Sequence, residues 1–157
     1  MGVMNLEYLE HHAQHIPALA RWHHEQWSYL NPRRTLAERA ERLQSHLGGR
    51  QMPTTVVAVE GETLLGSASL VENDLSTRMD LSPWLAGVYV PVEHRRRGVG
   101  SALVRRIVRE AEALGYETLY LFTMDQERLY AGLGWTAFER AVYNDVGIVL
   151  MLYELRA

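Results

Sequence analysis

The chain has 157 residues, 47% of them hydrophobic and 22% charged. This is the size and composition of one globular domain, taken as residues 1–157, and it excludes a disordered or membrane-embedded chain. A net charge of -3 and a pI near 6.2 give no overall positive field toward nucleic acid or a membrane surface. There is no cysteine, which removes disulfides, cysteine nucleophiles and thiolate metal sites. All 16 basic residues are arginine, which removes Schiff-base, P-loop and general-base lysines. The bias is read as the codon usage of a GC-rich genome, with a bacterial source expected. Residues 1–5 show no charged, apolar leader, and Gly2 lacks the Ser or Thr that myristoylation expects. The expected location is cytoplasmic.

In chain order, residues 5–9 read as a short strand and residues 16–30 as a helix broken by Asn31-Pro32. Residues 35–47 read as a second helix. Thr35 and Glu38 form its capping box, Leu36, Ala40, Leu43 and Leu47 its apolar stripe, and Gly48-Gly49 its end. Residues 54–60 and 63–72 flank Gly61 as a β-hairpin, and a polar loop runs through residues 73–83. Residues 84–90 form a strand, 101–114 a strongly amphipathic helix, 118–123 a strand and 126–133 a short helix stopped by Gly134. Residues 135–143 and 146–155 pair across Asn144-Asp145. The expected fold is α/β: a mixed, mostly antiparallel central sheet flanked by helices, with one parallel β-α-β unit over residues 84–123.

The segment joining that strand to its helix carries the chemistry. It reads Val88-Tyr89-Val90-Pro91-Val92-Glu93-His94-Arg95-Arg96-Arg97-Gly98-Val99-Gly100-Ser101. A helix N-terminus presents free N–H groups and a partial positive charge, which suit phosphate. Gly98 and Gly100 let a ligand approach the backbone. A P-loop is excluded because no lysine is present, and a dinucleotide fingerprint because Leu103 stands where a third glycine is needed. From the residues alone, two readings stand: a pyrophosphate seat, or a glycine turn whose three arginines are solvated.

Arg95-x-x-Gly98-x-Gly100 resembles the Gln/Arg-x-x-Gly-x-Gly/Ala signature of the GNAT superfamily of N-acetyltransferases. Leu129-Tyr130-Ala131-Gly132-Leu133-Gly134-Trp135 is similar to that family's Leu-Tyr-x-x-Leu-Gly-Phe motif. The flanking elements fall where the family has them, so the resemblance spans nearly the whole chain. It implies a GNAT-like fold whose parallel unit binds acetyl-CoA as cosubstrate, with no metal.

By that resemblance, the backbone of Val88, Tyr89 and Val90 pairs with the pantetheine arm like an added strand. An amide of Val88 or Val90 polarises the thioester carbonyl. The amides from Arg96 through Arg97, Gly98, Val99 and Gly100 to Ser101 hold the pyrophosphate, beside Arg95. Thr123 stands where the family often has an asparagine that touches pantetheine. Tyr130 falls on the general-acid tyrosine; the other reading is a tyrosine that only packs its helix. The general base stays open among Glu117, Glu72, Asp74 and Asp80.

The acceptor wall implied by the family involves Trp22, His23, Glu25, Trp27 and Tyr29, with Glu72 and Asp74 nearby; core packing is the other reading of the tryptophans, Trp84 included. His11 and His15 have a metal-compatible i,i+4 spacing but no completing acid, so no metal is expected. The expected function is acetyl transfer to a primary amine of a small molecule. A protein or peptide N-acetyltransferase and a non-catalytic acyl-CoA sensor are the alternatives. Partners are acetyl-CoA and the amine, with no nucleic acid or membrane. A homodimer is considered because dimers are common in the family.

Overall fold

A computed structural model describes residues 3–155; Gly2 lies outside the described residues. Seven strands form one sheet: β1 (Met4–Tyr8), β2 (Thr54–Glu60), β3 (Thr63–Val71), β4 (Trp84–Tyr89), β5 (Thr118–Thr123), β6 (Thr136–Tyr143) and β7 (Val146–Glu154). Four α-helices accompany them: α1 (Ile16–Trp27), α2 (Leu36–Gln44), α3 (Val99–Ala113) and α4 (Glu127–Gly132). The strand order is β1-β2-β3-β4-β5-β7-β6. Every neighbouring pair is antiparallel except β4–β5. The mixed, mostly antiparallel α/β sheet with one parallel pair is therefore as expected.

Alternation along β2 explains how helices cover both faces. Val56 and Ala58 join the cluster under α3, while Val57 and Val59 join the cluster under α1 and α2. Helix α3 buries Val99, Leu103, Val104, Ile107, Val108 and Ala111. Each larger side chain among these contributes about 1.5–3 kcal/mol relative to exposure. A third cluster holds Val71, Leu75, Trp84, Ile148 and Leu150. Trp84 is fully buried there, and its indole N–H donates to the Leu81 carbonyl at 2.7 Å. It is core.

The Thr35–Glu38 capping box forms as expected, with both bonds made. Helix α2 is shorter than its apolar stripe suggests, because Leu47 leaves it to bridge to Thr54. Its buried residues are Arg39 and Leu43, whereas Leu36 is 42% exposed. Helix α1 stops at Trp27, three residues early, in a tighter turn where the Leu30 N–H donates to the Trp27 carbonyl. Helix α3 starts at Val99, two residues before the expected Ser101, because left-handed Gly98 itself turns the chain into the helix. His11 and His15 end two separate 3-10 turns, Leu9–His11 and Ala13–His15. They therefore do not share one helix face, and among the described residues no group of three His, Cys, Asp or Glu side chains is placed to hold a metal. The closing hairpin turns on Asn144 and Asp145 at φ 48° and 64°, the two-residue turn that matches strand twist. No helix among the described residues is long and apolar enough to cross a membrane.

Two irregularities open the middle of the sheet. β4 pairs with β5 only at Trp84–Tyr120, and beyond that point the strands part. Against β3, β4 carries an extra residue: Ser67 faces Tyr89 but Ser69 faces Ala86, so two steps on β3 meet three on β4. This bulge centres on Gly87 at φ +61°, a conformation most side chains resist. Gly66 on β3 is also required, since a Cβ there would sit 2.7 Å from the Tyr89 carbonyl oxygen.

Candidate active site

The parting of β4 and β5 creates a cleft of about 650 Å³, within the range of small-molecule sites. One wall is the backbone of Val88, Tyr89 and Val90, whose β5-facing edge lacks a strand partner there among the described residues. The Arg95 guanidinium takes the Val90 carbonyl at 2.8 Å and lies 6.0 Å from the Tyr89 ring centre.

The loop into α3 forms one end of the cleft. Arg96 (φ 65°) and Gly98 (φ 76°) are both left-handed, and a Cβ added at Gly98 would meet nothing within 4 Å. Successive amides in such a loop, followed by a helix N-terminus, make an anion-binding concavity. Arg95, Arg96, Gly98, Val99, Gly100 and Ser101 line it. Arg97 does not. Its guanidinium pairs with Glu60 at 3.0 Å, so this side chain is turned off the cleft.

Tyr130 also lines the cleft and is 8% exposed. Its amide is held by the Gln126 carbonyl, and its own carbonyl accepts from Leu133 and Trp135. Gly134, at φ +100°, makes this return: a Cβ there would press on the Tyr153 ring at 3.1 Å. Burial, reinforced by the charge of Asp125, pushes the Tyr130 hydroxyl up to about 12, so it stays protonated at neutral pH. Thr123 is buried on the cleft wall, and its hydroxyl accepts from the Gln126 amide at 2.9 Å, starting α4. The O–H of Thr123 is the group left for a ligand.

Trp27, Tyr29 and Asp74 also line the cleft, Trp27 with its ring 6.1 Å from that of Tyr89. Trp22 and Glu25 do not. The Trp22 ring packs 5.6 Å from that of Tyr89, and Glu25 is exposed. Glu72 is exposed outside the cleft, Asp80 pairs with Arg78 at 3.0 Å, and Glu117 is exposed at the entrance to β5. Of the four carboxylates considered for the base, the structure brings only Asp74 to the cleft. Burial raises its carboxyl to about 7 against the opposing pull of Arg42 and Arg34.

His23 is buried beneath the bulge. Ser67 donates to the Gly87 carbonyl at 3.1 Å, so its oxygen accepts from His23 Nε2 at 3.1 Å. This network assigns the Nε2–H tautomer. Burial, with Arg39 and His46 adding to it, lowers His23 to about 3, and it remains neutral. His46 is lowered to about 4 by burial and Arg42. It bonds Thr55, whose hydroxyl meets Ser69 at 2.6 Å.

Sequence reasoning missed Arg34, Arg39, Arg42 and His46, which line the same end as Asp74. One signal was present. Arg39 lies at i+3 from Leu36 and i−4 from Leu43, inside the apolar stripe of α2.

No curated protein sequence matches the chain. In fold it is similar to an aminoglycoside 6'-N-acetyltransferase complexed with coenzyme A, at 15% identity and TM-score 0.76 over 99% of this chain and 98% of that one. It is also similar to a GCN5-related N-acetyltransferase from Kribbella flavida (20%, TM-score 0.76, 97% and 98%). A third similar structure is yncA from Salmonella typhimurium, solved with its cofactor acetyl-CoA (17%, TM-score 0.71, 98% and 94%). The sequence profile of the Acetyltransferase (GNAT) family matches residues 16–135, from the first residue of α1 to the Trp135 that closes the tyrosine motif, and the chain belongs to that family.

Proposed function

We propose that residues 1–157 form one domain that transfers acetyl from acetyl-CoA to a primary amine of a small molecule. The observation that carries this reading is the single cleft, which joins the amide-rich Arg96–Ser101 loop to a buried, protonated Tyr130 and to Asp74. The residues fit a CoA-like ligand. The open space at Gly98 accepts a phosphate close to the backbone, and the open edge of β4 accepts an extended arm.

Acetyl-CoA would supply an activated thioester; overall, one C–S bond breaks, one C–N bond forms and one proton passes from nitrogen to sulfur. Backbone amides of Arg96 through Ser101, with Arg95 alongside, hold the pyrophosphate. Val88, Tyr89 and Val90 align the arm, with the O–H of Thr123 on the facing wall. Tyr130 presents an O–H donor to the departing sulfur. With its proton held to about 12, it serves first as a hydrogen-bond donor. Full transfer to a free thiolate of pKa roughly 8.5 would be uphill. Asp74 accepts a proton from the acceptor's ammonium, a role suited to a carboxyl held near 7. Trp27 and Tyr29 stand on the wall beside the acceptor, and aromatic side chains in a cleft of about 650 Å³ suit a small molecule.

The test is acetyl-CoA titration by calorimetry, followed in the same preparation by thiol release against a panel of amines. Binding with thiol release for one amine class supports the transferase. Binding without release from small amines or peptides transfers the weight to an acyl-CoA sensor, and release with peptides alone makes the acceptor a peptide. Absence of binding refutes the proposed activity.

A further inference from the structure

Three arginines gather where the acceptor would sit. Arg34 precedes the Thr35 cap of α2, and Arg39 and Arg42 lie nearly one turn apart on that helix. All three line the cleft. Among the described residues, none of them lies within ion-pair distance of a carboxylate. They repel one another: burial and the neighbouring arginines lower both Arg34 and Arg39 from the ordinary arginine range, and Asp74, Tyr143 and Glu38 pull back on Arg34 but not on Arg39.

Arg39 is the telling member. It is only 6% exposed, its Nε donates to His24 Nδ1 at 3.2 Å, and its buried Nη2 has no hydrogen-bond partner. A buried guanidinium with neither counter-charge nor full hydrogen bonding is costly. Water can complete the hydrogen bond, but it cannot cancel the charge of three guanidiniums. Asp74 faces Arg34 and Arg42, but one carboxyl against three guanidiniums leaves an excess of positive charge. His23 and His46 add no positive charge there, since both stay neutral. The missing charge is thus negative and belongs to the ligand. Arginine suits carboxylate and phosphate because its planar donors match their paired oxygens.

Resting on the acetyltransferase reading above, we propose that Arg34, Arg39 and Arg42 hold the acceptor's own anionic group. The substrate is then a small amine bearing a carboxylate or a phosphate, and not a polycation. Asp74 faces Arg34 and Arg42 at the same end of the cleft, so a short substrate sets its amine beside Asp74 and its anionic group against the guanidiniums.

The test compares acceptors that differ only in that group: an α-amino acid with its carboxamide, and phosphoethanolamine with ethanolamine. A polyamine is included as the opposite case. Thiol release is followed with the wild type, Arg39→Gln and Arg34→Gln. The anionic member of a pair is expected to lead by at least about tenfold in kcat/KM, and each substitution to raise its KM by about 10- to 100-fold. Acetyl-CoA affinity should be unchanged. Equal or better use of the neutral or polycationic amines overturns the proposal. So does an unmoved KM in variants that melt like the wild type. Arg34 is less buried than Arg39, so its variant separates lost recognition from lost folding. If acetyl-CoA fails to bind, or no acceptor is turned over, inorganic phosphate is titrated by calorimetry into the wild type and Arg34→Gln. Binding heat that weakens in the variant upholds the anion site even where the transferase reading falls. Equal heats refute it.

Discussion

The two ends of the cleft are built in opposite ways. The end at Arg96–Ser101 is made of backbone: amides, two glycines and two left-handed residues. Its arginines are exposed, and one of them is committed to Glu60. The end at α2 is made of side chains, with Arg39 buried and Arg34, Arg42 and Asp74 partly so. A backbone site tolerates changes in neighbouring charge but not in chain path. A side-chain site is the reverse, because its energetics rest on desolvated charges that must be answered by a ligand.

The largest expected effect lies between the two ends. Tyr130→Phe removes the only group proposed to donate to the departing sulfur, so kcat is expected to fall about 100-fold or more. Acetyl-CoA affinity, measured by calorimetry, should hold. Turnover equal to the wild type would leave Tyr130 a packing residue against Trp135, 6.2 Å away ring to ring.

Gly98→Val addresses the backbone end. A β-branched residue at φ +76° is strained by about 1–2 kcal/mol, and its side chain enters the open space proposed for the phosphate. Acetyl-CoA affinity is expected to drop about 30- to 100-fold, alongside a lower melting temperature. An unchanged Kd would put the phosphate seat elsewhere.

Asp74→Asn addresses the side-chain end through pH. With Asp74 held near 7, kcat/KM should rise with pH through about 7, and the substitution should flatten that limb and lower activity by about tenfold or more. Stability moves the other way. The folded carboxyl has a higher pKa than the unfolded one, so the native state binds more protons between about 4 and 7 and loses stability as pH rises through that window. At pH 8 the Asn variant is therefore expected to be more stable, by about 1–3 kcal/mol in denaturant titration. A variant that is less stable at pH 8 would show that the Asp74 charge is answered in the free protein.

The smallest effect is expected at Arg97→Ala. A surface pair such as Arg97–Glu60 is worth about 0–1 kcal/mol, so acetyl-CoA affinity should stay within about threefold. A larger loss would return the Arg97 side chain to the phosphate seat.

How much was readable in advance follows the same division. The order of strands and helices, the capping box at Thr35 and the Asn144-Asp145 turn all came from local patterns, and the structure contains them. The Gly98 turn was legible because a left-handed glycine before a helix is a local event. The bulge at Gly87 was not, since it exists only in the register of β4 against β3. Trp22 and Glu25 share a helix with Trp27, yet only Trp27 reaches the cleft. Helical periodicity gives a face but not what that face meets.

The elements, the phosphate-suited turn and the tyrosine motif each depend on residues a few positions apart, so the amino-acid order alone specifies them. The tertiary structure decided where β4 and β5 part and which carboxylate enters the gap. It also decided that Arg39 is buried without a counter-charge. Those outcomes depend on strand register and on desolvation, and both arise only when segments as distant as α2 and the loop holding Asp74 are brought against one cleft.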